Sequence, residues 1–332
     1  MYQAAARSAW KYCLASFGAV GMAFSSTALA QADYPTRPVT IMTPFSVGSG
    51  PDTVVRLVAE KLGKEWGQRV IVENRPGGSG FIAIEQARRA ANDGYTLLQL
   101  DSEHIGALPH LYKKRGYQPF ELFDPVAPLF QTPFMVTVSS NSPLKSFKDL
   151  VEAVKKEPNK IAYGSWGIGS PGHLGAIGVE MFAQTPMQHV PYKEMAQLFA
   201  AVSNQEVDWS FGSIPSSQGP YQAGKLRYLA IGANKRIPQL PDVPTIAESG
   251  GPADLDVSSF VALLAPKGIS KEIAGKIHAA TLRALAQPDI RERFNTFAFE
   301  PLDWSTDRIL KEAQTKSEVY ARQIDKAGVT LD

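Results

Sequence analysis

Residues 39–52 read Val39-Thr40-Ile41-Met42-Thr43-Pro44-Phe45-Ser46-Val47-Gly48-Ser49-Gly50-Pro51-Asp52. An apolar run passes into a Gly/Ser loop, and Val54, Val58 and Leu62 then recur at helical spacing. The unit is a strand, a loop and the start of a helix. A helix start carries unpaired backbone N–H groups and a partial positive charge. A second stretch repeats the device: Tyr163-Gly164-Ser165-Trp166-Gly167-Ile168-Gly169-Ser170-Pro171-Gly172-His173. Both loops are nearly free of charge. Two such helix starts facing one another make a clamp for a small anion.

Further strands are expected at 70–72 and 95–100, with a helix over 81–91 between them. This βαβαβ order predicts a mostly parallel sheet with helices on both faces. Pro119, Pro125 and Pro128 make 116–128 read as a loop. A strand follows at 134–138. Then comes a second α/β series, with strands at 160–163, 188–192, 207–211 and 226–231 and helices at 174–182 and 194–202. Residues 237–254 are rich in Pro and Gly and read as a crossing segment. A strand at 261–264 and helices at 271–286 and 306–326 complete the chain. A helical tail without its own sheet must pack on a lobe, and return to the first is expected. The expected division is 31–133 plus 254–332 for lobe 1 and 134–253 for lobe 2, with two crossings forming a hinge and the ligand cleft between.

Residues 1–30 read as a signal peptide: Arg7 and Lys11 precede an apolar run, and Ala28-Leu29-Ala30 offers a small-residue cleavage site. Its removal would take the one cysteine, Cys13, and leave 32 basic against 32 acidic residues. Thiolate chemistry, disulfides and cysteine-ligated metals are thereby excluded, and no cofactor or metal is expected. A balanced charge gives no basic surface for nucleic acid. An exported monomer in the periplasm is expected.

Candidate ligand contacts are Phe45, Ser46, Val47, Gly48, Ser49, Gly50 and Asp52 in the first loop, and Ser165, Trp166, Gly169, Ser170 and His173 in the second, with Asp208. The charge of Asp52 would repel an anion on its own helix end, so it is alternatively a holder of the loop amides. Trp166 could stack on a flat ligand. Gly167 to Gly172 also fits G-x-G-x-x-G, but late in an exported chain and with Pro171 inside the turn. No catalytic motif stands out, and a binder rather than an enzyme is expected. The alternatives are a secreted hydrolase-like enzyme using Ser165 and His173, with Asp208 completing a triad, or a ligand sensor for a signalling partner.

In this order, the segments resemble the periplasmic receptors of tripartite tricarboxylate transporters, the Bug family. They include Arg37-Pro38-Val39-Thr40, Pro44-Phe45 through Asp52, Glu73-Asn74-Arg75-Pro76-Gly77 and Asp93-Gly94-Tyr95-Thr96-Leu97. Tyr163-Gly164-Ser165, His173-Leu174, Val190-Pro191-Tyr192-Lys193, Val207-Asp208, Leu240-Pro241-Asp242-Val243-Pro244-Thr245 and Ala265-Pro266-Lys267-Gly268 continue the resemblance. It implies a type II periplasmic binding protein whose two lobes close on a small carboxylate, held by amides and hydroxyls of the two loops. It also implies delivery to membrane transport subunits. Ser49, Trp166, Glu194 and Gln205 depart from the family pattern. Trp166 beside Ser165 suggests an aromatic carboxylate, with terephthalate as the example.

Overall fold

The computed structural model describes residues 34–332. The signal peptide expected at 1–30, with Cys13, lies outside them. In the first α/β series, β1 (Val39–Thr43) leads to α1 (Gly50–Trp66), β2 (Val70–Asn74), α2 (Phe81–Ala87) and β3 (Thr96–Asp101). Short helices α3 (Ser102–Gly106), α4 (Leu108–Leu111) and α5 (Pro119–Leu122) precede β4 (Phe123–Pro133). The second series comprises β5 (Met135–Ser139), α6 (Phe147–Lys156), β6 (Ala162–Ser165), α7 (Pro171–Ala183), β7 (Gln188–Pro191), α8 (Met195–Ser203), β8 (Trp209–Gly212), α9 (Ile214–Gln222) and β9 (Leu226–Ile231). The chain then returns through β10 (Ser258–Pro266), α10 (Lys271–Leu285), α11 (Pro288–Phe297), β11 (Glu300–Pro301) and α12 (Thr306–Ala327).

Two sheets result. One has the order β11-β4-β10-β3-β1-β2 and the other β7-β6-β8-β5-β9. In the first, β1 pairs in parallel with β2 and β3, while β10 enters antiparallel between β3 and β4. All nine residues of β10 are buried, as a central strand covered on both faces requires. α1 shows the local logic. Ser49 Oγ accepts from Asp52 N–H, Pro51 sits in the first turn, and Gly67 ends the helix in the left-handed region at φ 63°. Val54, Val58 and Leu62 are its fully buried stripe.

The expected loop at 116–128 is corrected. Phe123–Pro133 is an eleven-residue strand despite Pro125 and Pro128. Pro128 faces Ala262 and Pro125 faces Leu264, and the register with β10 shifts immediately beside both positions. The irregular ladder accommodates residues that have no N–H to donate.

The passages between the sheets lie side by side. Ser258 pairs with Pro133, Phe134 N–H donates to Val257 O at 3.0 Å, and Gly232 N–H donates to Phe134 O at 2.8 Å. A Cβ on Gly232 would lie 2.7 Å from Val257 Cβ, so only glycine fits this approach. α12 packs on α3, β4 and α7. Its Lys316 donates to Asp256 Oδ2 at 2.9 Å and to Ser258 O at 2.7 Å, fastening the return passage.

Candidate functional site

A cleft of about 780 Å³ opens beyond the carboxyl ends of the strands. Residues after β1 (Phe45, Ser46, Gly48 to Pro51) and β2 (Pro76, Gly77, Ser79, Gly80), with Asp101 at the end of β3 and His104 beyond it, line one side. Trp166 and Pro171 after β6, Lys193 to Ala196 after β7, and Ser213, Pro215 and Ser216 after β8 line the other. This is where open α/β sheets bind ligands. Among the described residues, four helices of nine or more residues, α1, α7, α8 and α9, begin at the cleft. Their first turns direct positive partial charge into it. Among the described residues, Asp101, Lys193 and Glu194 are its charged lining residues besides His104, and no arginine lines it.

The first loop is held from beneath by Asp52, whose side chain is almost entirely buried. Its carboxylate accepts from Gly48 N–H at 2.8 Å, Asn74 Nδ2 at 2.7 Å and Arg56 Nε at 3.1 Å. Asn74 Nδ2 also donates to Phe45 O at 2.9 Å. Burial alone would raise the Asp52 pKa, but these donors together hold it below the usual carboxylate value. Phe45, Ser46, Gly48, Ser49 and Gly50 reach the cleft, while Val47 is 73% exposed and does not line it.

In the second loop only Trp166 of the expected contacts lines the cleft. Its ring lies against Phe134, centroids 5.2 Å apart. It also covers Gly172, where a Cβ would come within 2.6 Å of Cζ3. Ser165 is fully buried, with Oγ 2.7 Å from His189 Nε2. Ser170 Oγ caps α7 and donates to Gly167 O at 2.7 Å. His173 Nδ1 accepts from Gly169 N–H at 3.2 Å. Gly169 sits against Leu111 at φ +81°. Asp208 Oδ2 accepts from Ala162 N–H at 2.7 Å. Ser165 thus meets His189 rather than His173, and Asp208 binds the backbone of β6. The His173 and His189 rings lie 4.3 Å apart, and burial pushes them down to about 3 and about 4, so both stay neutral.

Sequence reading missed Asp101, His104, Ser213 and Ser216. His104 Nδ1 lies 2.5 Å from Asp101 Oδ1, and its ring meets Phe45 edge-on at 5.6 Å. Ser216 Oγ accepts from Ser213 N–H at 3.0 Å. Their signal was position: each lies at the end of a strand or just beyond it.

Beneath Ser259, which lines the cleft, lies the buried carboxyl of Glu103. It accepts from Ser259 Oγ at 2.5 Å and Tyr320 Oη at 2.7 Å. Burial, and then the charge of Asp101, push Glu103 up to about 7. The folded state therefore favours the protonated form. That stability is complete below the ordinary carboxyl range and is lost as pH rises towards 7. Glu103→Gln should remove this decline. Urea titrations at about pH 5 and about pH 8 should show the wild type, but not the variant, losing about 1–3 kcal/mol across the interval.

Two α/β lobes joined by paired passages, with a cleft at the strand ends, define a type II periplasmic binding protein. The chain belongs to the tripartite tricarboxylate transporter receptor family, whose model matches residues 54–329. It is a solute receptor of the periplasm and not an enzyme. An Agrobacterium vitis protein from the TAR-I ttuE-ttuC' intergenic region is 34% identical over 307 residues, 91% of this chain and 87% of that one. The periplasmic binding protein BugD superposes with a TM-score of 0.76 at 31% identity, covering 90% of this chain and 99% of its own. A Rhodopseudomonas palustris protein solved with adipate gives 0.80 at 28% identity, covering 90% and 99%.

Proposed function

We propose that this receptor captures a small carboxylate, specifically an aromatic dicarboxylate such as terephthalate, between its lobes and passes it to membrane transport subunits. The observation that carries the reading is the convergence of four helix starts on one cleft walled by Trp166 and Phe134, with no arginine lining it among the described residues. Backbone amides and hydroxyls then hold the anion, and the aromatic wall faces its ring. Ser46, Gly48, Ser49 and Gly50 form the first cradle, joined by Ser213 and Ser216 from the other lobe. In this reading Asp52, Ser165, Gly169, Ser170, His173 and Asp208 shape the loops from below. Adipate in the Rhodopseudomonas palustris relative supports a ligand with two carboxylates.

The segments 31–133 plus 254–332 and 134–253 would close as two bodies about the paired passages, so that binding shifts the population towards the closed form. Calorimetry with benzoate, terephthalate, adipate, malate and citrate tests the assignment. Terephthalate should bind most tightly. Tight citrate binding with no aromatic binding would overturn the aromatic assignment and leave the receptor class intact.

A further inference from the structure

We propose that Asp101 and His104 read the charge of the ligand's second carboxylate, with protonated His104 donating to it from Nε2. The inference rests on the carboxylate reading above and assigns a specificity role within the same cleft. His104 Nδ1 is engaged by Asp101 Oδ1, and Asp101 Oδ1 also accepts from His104 N–H at 2.9 Å. The ring is thereby fixed, and no partner for Nε2 is recorded among the described residues. The Cδ2–Nε2 edge lies where a Cβ on Gly80 would otherwise sit, within 2.5 Å of Nε2. Gly80, at φ +86°, and His104 both line the cleft, so the ring borders the ligand space beside the glycine backbone.

Two ionisation states give two different sites. With His104 protonated, the pair is neutral overall and Nε2 carries a hydrogen-bond donor. With His104 neutral and Nδ1–H directed to Asp101, Nε2 offers a lone pair and the pair carries one negative charge. The first state accepts a carboxylate, and the second repels it. Burial opposes the charged ring, but Asp101 raises the His104 pKa above its ordinary value, and Glu103 adds a smaller contribution only where it is ionised. Phe45 and Gly80 add no charge beside the ring. Lys193 and Glu194 are the remaining charged residues lining the cleft. Affinity for a dicarboxylate should therefore fall as pH rises through the His104 pKa.

Two measurements on the wild-type protein test this. Calorimetry from about pH 5.5 to about pH 8.5 should show terephthalate weakening about tenfold, with benzoate changing less than about twofold. Imidazole NMR, with His104 assigned by its absence from His104→Gln, should show saturating terephthalate raising the His104 pKa by about one unit. The same substitution should flatten the terephthalate profile. An unchanged His104 pKa on saturation, or identical pH profiles for the two ligands, would overturn the proposal and leave the receptor reading standing. If no carboxylate of the calorimetric panel binds at any pH, the carboxylate reading falls and this proposal with it.

Discussion

Asp52→Leu should cost about 2–4 kcal/mol of folding stability and abolish high-affinity ligand binding. The leucine fits the volume but accepts no hydrogen bond. Gly48 N–H, the Asn74 amide and the Arg56 guanidinium would each lose their carboxylate. Arg56 is 44% exposed and can rehydrate, so most of the cost falls on the two neutral donors. Asn74 also fixes Phe45 O, so the loop that carries Ser46, Gly48 and Ser49 would lose its floor. The pH behaviour separates this role from ligand contact. Because the folded pKa of Asp52 is depressed, its contribution is present above the ordinary carboxyl value and lost as pH falls through the folded one. Acid titration of the ligand-free protein should lose that limb in Asp52→Leu. An unchanged acid limb and an unchanged urea midpoint would show that the carboxylate does not hold the loop.

The alternating strand and helix order was legible because each element is locally marked. The strand at 226–231 and the C-terminal helices at 271–285 and 306–327 fall within a residue of expectation, with Ser270 and Ser305 capping the helices. β4 was hidden by its prolines, since the shifted register with β10 that tolerates them is a tertiary fact. α9 was hidden by Gly219 and an internal Pro220, both poor helix residues. In the site, Ser46 to Gly50 announced themselves as a small-residue loop before a helix. His173 looked equally suitable at the start of α7. However, every residue of that helix from Pro171 to Val179 is buried, and the imidazole closes the helix's own entry loop. Asp101 and His104 carry no glycine signature. Their place depends on β3 pairing beside β1, which brings two strand ends to one edge of the cleft.

Trp166→Ala should weaken terephthalate binding by about 2–3 kcal/mol, roughly 30- to 150-fold, while adipate loses less than about threefold. The contrast follows from what the ring can offer. It is half-buried, with one part packed on Phe134 at the passage between the lobes and on the backbone of α7 at Gly172. The remainder faces the cleft. An aromatic ligand would gain dispersion and quadrupole contact along that face, and an aliphatic chain gains only the area it covers. Trp166→Phe keeps a ring against Phe134 and should recover most of the terephthalate affinity. Filling the space beneath the ring provides a second approach. Gly172→Leu would displace the indole without deleting it and should reproduce the selective loss. Calorimetry of both ligands on the three variants decides the matter. Equal losses for terephthalate and adipate would mean that Trp166 supports closure of the lobes through Phe134 rather than recognition of an aromatic ring.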